Sequence, residues 1–226
     1  MNEIFFEYEI DLDEKSIKSF GIYYRLLKEY NEKFNITAIE DEREIYLKHF
    51  VDSLSGAELL TGGKLIDIGS GGGFPAVPIK IVNDSVDLTL VEATGKKCEF
   101  LNVLCENLGL KDVKIVNKRA EDIAHDINFR EKFDYCTARA VAKLNILSEY
   151  CLPFLKTGGK FIAYKADADD ELKEAANALR VLGGKTEKIK KFSLDGAERQ
   201  LIVIEKIKRT EEKYPRSNGR IRKNPL

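Results

Sequence analysis

The sequence contains no apolar run approaching the roughly 18 residues that cross a bilayer, which argues against a helical membrane span. Its first fourteen residues hold six acids (Glu3, Glu7, Glu9, Asp11, Asp13 and Glu14) and no lysine or arginine, the opposite of the basic start of a secretory signal. The four cysteines, Cys98, Cys105, Cys136 and Cys151, nowhere form a C-x-x-C pair, and the only two histidines, His49 and His125, lie far apart. No metal is therefore expected, and no disulfide framework. Cys98 and Cys105, seven apart in a helical pattern, read as core residues. Internal repeats and low-complexity tracts are lacking too. These absences lead us to expect a soluble cytoplasmic protein without a membrane partner, and a monomer.

What is present is a chain of 226 residues, 43% apolar, long enough for one large domain with an appendage. Its net charge of −1 conceals an asymmetry, because the stretch from Lys206 to the end carries eight basic residues against two acids. A basic end on an acidic body suits a polyanionic partner. Residues 210–226 include Lys213, Arg216, Arg220, Arg222 and Lys223. Pro215, Asn218-Gly219 and Pro225 argue against a continuous helix there, so the reading is an extended, mobile arm able to follow a phosphate backbone.

Residues 16–34 read as an amphipathic helix, with Ile17, Phe20, Tyr24, Leu27 and Phe34 near helical spacing and Ser16 as its cap; a second helical stretch covers about 40–54. The pattern then changes to short apolar strands at 64–68, 87–91, 113–116, 133–138 and 160–164, separated by helical stretches at 75–82, 95–108, 141–152 and 168–182. Such alternation implies right-handed crossovers and a parallel sheet covered on both faces. After Gly183-Gly184 the rhythm breaks into two extended runs joined by Asp195-Gly196, which predicts a terminal antiparallel hairpin. The expected layout is an N-terminal helical extension (1–60), a Rossmann-like α/β domain (61–207) and a basic tail (208–226).

The sharpest local signal is DIGSGGGFPAVP, residues 67–78, at the end of the first strand of that domain. Gly69, Gly71 and Gly73 let the backbone turn tightly and approach a ligand. Pro75 stands where the next helix begins. Glu92, ending the following strand 19 residues after Gly73, occupies the position from which a carboxylate meets ribose hydroxyls. A dinucleotide fingerprint counted from Gly69 requires glycine or alanine where Phe74 stands. Asp67 instead begins a D-x-G-x-G-x-G pattern that resembles the S-adenosylmethionine loop. Together with the terminal hairpin, this favours S-adenosylmethionine over NAD and the methyltransferase form of the doubly wound fold.

The chain as a whole resembles the glucose-inhibited division protein B family, also called ribosomal RNA small subunit methyltransferase G. The segments that carry the resemblance are YNEKFNITAI (30–39), KHFVDSL (48–54), DIGSGGGFPAVPIKIV (67–82), EATGKKCEFL (92–101), RAED (119–122), TARAVAKLN (137–145), GGKFIAYKA (158–166), GAERQLIVIEK (196–206) and YPRSNGRIRKNPL (214–226). The resemblance implies methylation of a guanine N7 in small-subunit (16S) ribosomal RNA, with the RNA or the small ribosomal subunit as partner. It also implies cofactor contacts from Gly69, Phe74, the Ala120-Glu121 backbone and Arg139. Ser217 and Asn218 depart from the family's usual tail.

Residue chemistry agrees with that implication. Guanine N7 carries a free lone pair and needs positioning, not a general base. The (D/N)-P-P-(Y/F) segment that serves exocyclic amines is missing; TARA stands in its place. Arg139, Lys165 and Arg199 fall at strand ends near the expected cofactor edge and are the candidates for holding guanine O6 or phosphate. Cys136 offers a rival chemistry, thiolate attack on a pyrimidine, but strand alternation aims it at the core. His49 is expected to pack or hydrogen-bond where the N-terminal helices meet the body. The other functions considered are a small-molecule methyltransferase, a non-catalytic ribosome-assembly factor and an NAD-dependent oxidoreductase.

Overall fold

Alternating side chains along the central strand set the architecture. In β1 (Gly63–Ile68), Leu65 enters one apolar cluster while Ile66 and Ile68 enter another, one on each face of the sheet. The computed structural model describes residues 2–226. The remaining strands are β2 (Val86–Val91), β3 (Val113–Val116), β4 (Phe133–Arg139), β5 (Leu155–Lys165), β6 (Gly184–Leu194) and β7 (Ala197–Lys206). They form one sheet of order β3-β2-β1-β4-β5-β7-β6. The first five strands are parallel, and β7 runs antiparallel between β5 and β6. The expected parallel sheet with a terminal hairpin is thus observed.

Chain order reverses beside β1, which pairs with β2 on one side and β4 on the other. Connections leave in opposite directions there and open a crevice at the strands' C-terminal ends, where ligands of such sheets bind. Asp67 sits at this point, in register with Leu90 and Thr137.

The differences from the sequence reading have local causes. Helix Glu14–Phe34 is capped by Asp13, whose carboxylate accepts from the Ser16 backbone at 2.7 Å, and Ser16 itself is buried. Its inward face is carried by Phe20, Tyr23, Leu26 and Leu27, with Tyr24 at the border. β5 begins at Leu155 because an irregularity around Gly158-Gly159 precedes the regular pairing from Lys160, and polar, glycine-rich residues 156–159 show no strand alternation. The expected helix 168–182 is two, Asp169–Glu174 and Ala176–Leu182. The stretch 42–54 is helical but contains a π-helical segment, Tyr46–Val51.

The largest correction concerns the tail, which is neither extended nor free. It docks on the sheet's second face, with Tyr214 and Ile221 buried and a short helix at Asn218–Lys223. Arg130 donates to the carbonyls of Thr210, Glu211 and Tyr214 at 2.8–3.1 Å, and His125 donates to that of Pro215 at 2.9 Å. Arg216 forks onto the fully buried Glu149 carboxylate at 2.7 and 2.9 Å, while its backbone N–H adds a third bond at 2.7 Å. Lys213 pairs with Glu211, so two of the five tail cations are already committed. Proline and Asn-Gly punctuation correctly marks a broken path here, but an irregular path is not a loose one.

Removing the Arg216 side chain leaves a buried carboxylate with only a main-chain donor. Arg216→Ala is expected to destabilise the protein by about 3 kcal/mol in urea unfolding, whereas exposed Arg220→Ala should change stability by less than about 0.5 kcal/mol.

Candidate functional site

The glycine loop folds over the end of β1 through backbone conformations that side chains resist. Gly69, Gly71 and Gly73 have φ of 71°, 55° and 97°. Gly73 has an additional reason to lack a side chain: a Cβ there stands 2.5 Å from the Tyr23 hydroxyl. That hydroxyl donates to the Gly72 carbonyl at 2.5 Å, tying the N-terminal helix to the loop. A Cβ at Gly71 meets nothing nearer than 3.8 Å, so that glycine borders open space.

Glu92 braces the loop. Its carboxylate accepts from the Gly71 N–H at 2.9 Å and the Thr94 N–H at 2.7 Å. Beside it opens a cleft of about 120 Å³ bounded by Gly69, Glu92, Ala120 and Glu121. Gly69 and Glu92 are expected here from the residue pattern and Ala120 and Glu121 from the family resemblance, and the fold brings the four to one cleft. Two buried carboxylate oxygens nearby have no hydrogen-bond partner, Asp67 Oδ2 and Glu121 Oε1. Burial raises the Asp67 carboxyl to about 7, against the pull of the Thr137 hydroxyl that donates to its Oδ1 at 2.7 Å.

These unmet acceptors fit the implied cofactor, S-adenosylmethionine, which carries an ammonium at one end and an exocyclic amine at the other. Among the residues bounding the cleft, these four would hold it, through main-chain groups at Gly69 and Ala120 and carboxylates at Glu92 and Glu121. The Phe74 ring is buried, so only its main chain remains a candidate contact. The ring stacks with Tyr23 at 5.2 Å and with His49 at 4.4 Å between centroids.

A second cleft, of about 340 Å³, lies at the end of β4 and β5 and is lined by His49, Asp52, Arg139, Tyr164, Lys165 and Arg199 among others. Arg139 is its centre. The guanidinium donates to Asp52 Oδ2 at 2.7 Å, to the Lys48 carbonyl at 2.9 Å and to His49 Nδ1 at 3.0 Å, and lies 5.1 Å from the Phe74 ring centroid. Arg199 approaches the other Asp52 oxygen at 3.5 Å. Asp52 therefore bridges the two arginines. The wide π turn at Tyr46–Val51 contains both the Lys48 carbonyl and His49, and such turns recur at functional sites.

The hydrogen bonds fix the His49 tautomer. Arginine only donates, so Nδ1 accepts and Nε2 carries the proton to Thr37 Oγ1 at 2.8 Å. Burial, with Arg139 adding to it, lowers the imidazole to about 3, so the ring is neutral at physiological pH. Both nitrogens are occupied, and His49 supports Arg139 where the N-terminal helices meet the sheet. Lys165 reaches the cleft wall, but its ammonium is held by the Ala142 carbonyl and Glu171, each at 2.7 Å. Cys136 is fully buried in the second-face core, and burial pushes its thiol well above the ordinary range, so no thiolate is available.

Sequence reasoning missed Asp52 and Tyr164, which line the second cleft, and did not place the tail residues Asn218 and Arg222 at the first, which they line. Asp52 had a signal, since it stands three residues after His49 within the KHFVDSL segment. Among the described residues no cluster of three or more His, Cys, Asp or Glu is arranged for a metal, and no helix is long and apolar enough to cross a membrane.

Comparison with known proteins agrees with this geometry. Among solved structures, M. jannaschii TYW2 in complex with AdoMet superposes with a TM-score of 0.55 at 13% identity, covering 69% of this chain and 77% of that one. A ribosomal protein L11 methylase from Lactobacillus delbrueckii gives a TM-score of 0.55 at 16% identity, covering 71% and 79%. These likenesses establish the fold. Curated relatives named ribosomal RNA small subunit methyltransferase G are much nearer in sequence. The one from Lactobacillus johnsonii is 47% identical over 228 residues, covering 97% of this chain and 95% of the relative. The one from Acetivibrio thermocellus is 46% identical over 221 residues, covering 96% and 91%. The family model GidB, described as rRNA small subunit methyltransferase G, matches residues 16–202. By its glycine loop, its arginine-centred cleft and these near full-length relatives, the chain belongs to the rRNA small subunit methyltransferase G family.

Proposed function

We propose that this protein transfers the methyl group of S-adenosylmethionine to N7 of a guanine in small-subunit ribosomal RNA, by direct in-line attack without a general base. The observation that carries the reading is the arginine-centred cleft beside the glycine loop, in which every candidate base is neutralised, paired or buried. His49 is neutral with both nitrogens occupied, Asp52 is shared between two arginines, and Cys136 lies in the core. An acceptor that must lose a proton is poorly served by such a site. Guanine N7 loses none.

Bound in the first cleft, S-adenosylmethionine supplies a methyl group on a positively charged sulfur. The chain's own groups then have a positioning task. Glu92 holds the loop and offers its remaining lone pairs to ribose hydroxyls. Asp67 and Glu121 offer acceptors at the amino-acid and adenine ends. Arg139 and Arg199 present donors to guanine O6 or to a phosphate, leaving N7 free. Methyl transfer to N7 would leave the positive charge on the base. The Asp52 carboxylate stands in the same cleft as a counter-charge. Lys165, held by Glu171, shapes the cleft rim. The substrate is the ribosomal RNA or the small subunit carrying it, and the cytoplasm is where that substrate resides.

The decisive experiment is incubation with labelled S-adenosylmethionine and separated ribosomal RNAs or subunits. Label is expected in small-subunit RNA as 7-methylguanosine; label on an exocyclic amine, a ribose or a pyrimidine overturns the reading. Arg139→Ala and Arg199→Ala should lower kcat/KM by about 2–3 kcal/mol, roughly 30- to 150-fold. Cys136→Ser should retain activity. Gly71→Val should abolish binding of the demethylated product, because the side chain enters the open space above the loop.

The state of Asp67 yields a pH dependence. A ligand ammonium pairs with the ionised carboxylate, so binding strengthens as pH rises through about 7. Calorimetry with the demethylated product should give affinity about tenfold tighter at pH 8 than at pH 6. Asp67→Asn should flatten that profile, and an unchanged slope removes Asp67 from the cofactor site.

A further inference from the structure

The C-terminal segment reaches the first cleft itself: Asn218 and Arg222 line it together with Gly69, Glu92 and Ala120. They are delivered there by the buried Glu149–Arg216 latch and by the Arg130 carbonyl clamp. Tyr150, in the adjoining helix Leu144–Cys151, donates its hydroxyl to Asn218 Oδ1 at 2.8 Å, which turns the amide so that its N–H₂ group remains available as a donor. Arg222 is exposed and lies beside the same hydroxyl. Glu121 lines the same cleft, and its Oε1 is a buried acceptor without a partner.

Donor, acceptor and flat cation are thus gathered around one small cleft from separate segments of the chain. A purine matches this set. Its exocyclic amine meets the Glu121 acceptor, its ring nitrogens accept from the Asn218 amide, and its face suits a planar guanidinium. Neighbouring tail cations differ from Arg222 in place: Arg220 and Lys223 share its helix but do not line the cleft.

We propose that the docked C-terminal segment is a wall of the cofactor cleft, with Asn218 and Arg222 binding the adenosine end of the cofactor and Tyr150 positioning Asn218. This rests on the cofactor assignment made above. The tail is then part of cofactor binding, not merely a basic arm for RNA.

Calorimetric titration of the full chain with S-adenosylhomocysteine, and with methylthioadenosine, which lacks the amino-acid end, tests the assignment. Arg222→Ala should weaken both ligands about tenfold, and Asn218→Ala several-fold. Arg220→Ala and Lys223→Ala should stay within about twofold of the parent, as exposed surface substitutions generally do. In turnover, Arg222→Ala should raise KM for S-adenosylmethionine with kcat little changed. Parent-like affinity in both Arg222→Ala and Asn218→Ala overturns the proposal. Equal weakening by Arg220→Ala and Lys223→Ala overturns it as well, because the effect is then one of net charge. Failure of the unsubstituted protein to bind either ligand overturns the cofactor assignment itself.

Discussion

Arg139 and Asp52 form the contact on which the functional face depends. The arginine comes from the end of β4 and the aspartate from the N-terminal helices, 87 residues earlier. Both are largely withdrawn from water, with side-chain exposures of 14% and 8%. Removing two charges from water costs several kcal/mol each, and attraction compensates only where geometry is good and further hydrogen bonds are made. Here those further bonds come from the Lys48 carbonyl, His49 and Arg199. The pair therefore joins the N-terminal helices to the sheet in one orientation, at some cost in stability that apolar packing of Phe20, Tyr23 and Phe50 offsets nearby.

The same joint reaches the glycine loop. Phe74 stacks with His49 and Tyr23, and Tyr23 closes onto the Gly72 carbonyl. The two clefts are thus coupled through one aromatic cluster, with the loop on one side and the arginines on the other. Glu92 completes this arrangement from β2 by binding the Gly71 N–H. The carboxylate proposed to meet the ribose hydroxyls thus also sets the conformation of the glycine loop.

Much of this was legible in the residues. Short apolar runs between helical stretches located the five parallel strands, because burial on both faces of a central sheet demands them, and the Asp-Gly turn announced the hairpin. Gly69 and Glu92, which share the first cleft, could be proposed from the residues because one strand-loop-helix unit and the next strand end lie close in sequence, whereas Ala120-Glu121 entered only through the family resemblance. Asp52 and the tail could not be read in the same way. Asp52 acts across a tertiary gap, through a π turn with no signature in helical periodicity. The tail's order comes from Glu149 and Arg130, each more than 60 residues distant, and no local propensity reports such long-range satisfaction of buried charge. Ser16 was misread as a cap because the true cap, Asp13, lies among other acids that resemble plain surface charge.

The strand order β5-β7-β6 has a consequence for biosynthesis. Strands leave the ribosome in numerical order, yet β6 has no place in the sheet until β7 has been made, since β7 is its one neighbour. For that interval β6 is a nascent strand with both edges open, the condition that promotes pairing between chains. Its sequence answers the hazard: Lys185, Lys188, Lys190 and Lys191 repeat along its eleven residues, so two such strands brought side by side repel each other. In the finished fold Lys190 and Lys191 pair with Glu58 and Asp169, leaving Lys185 and Lys188 as the edge's own charge, whereas all four guard the strand while the chain is still incomplete.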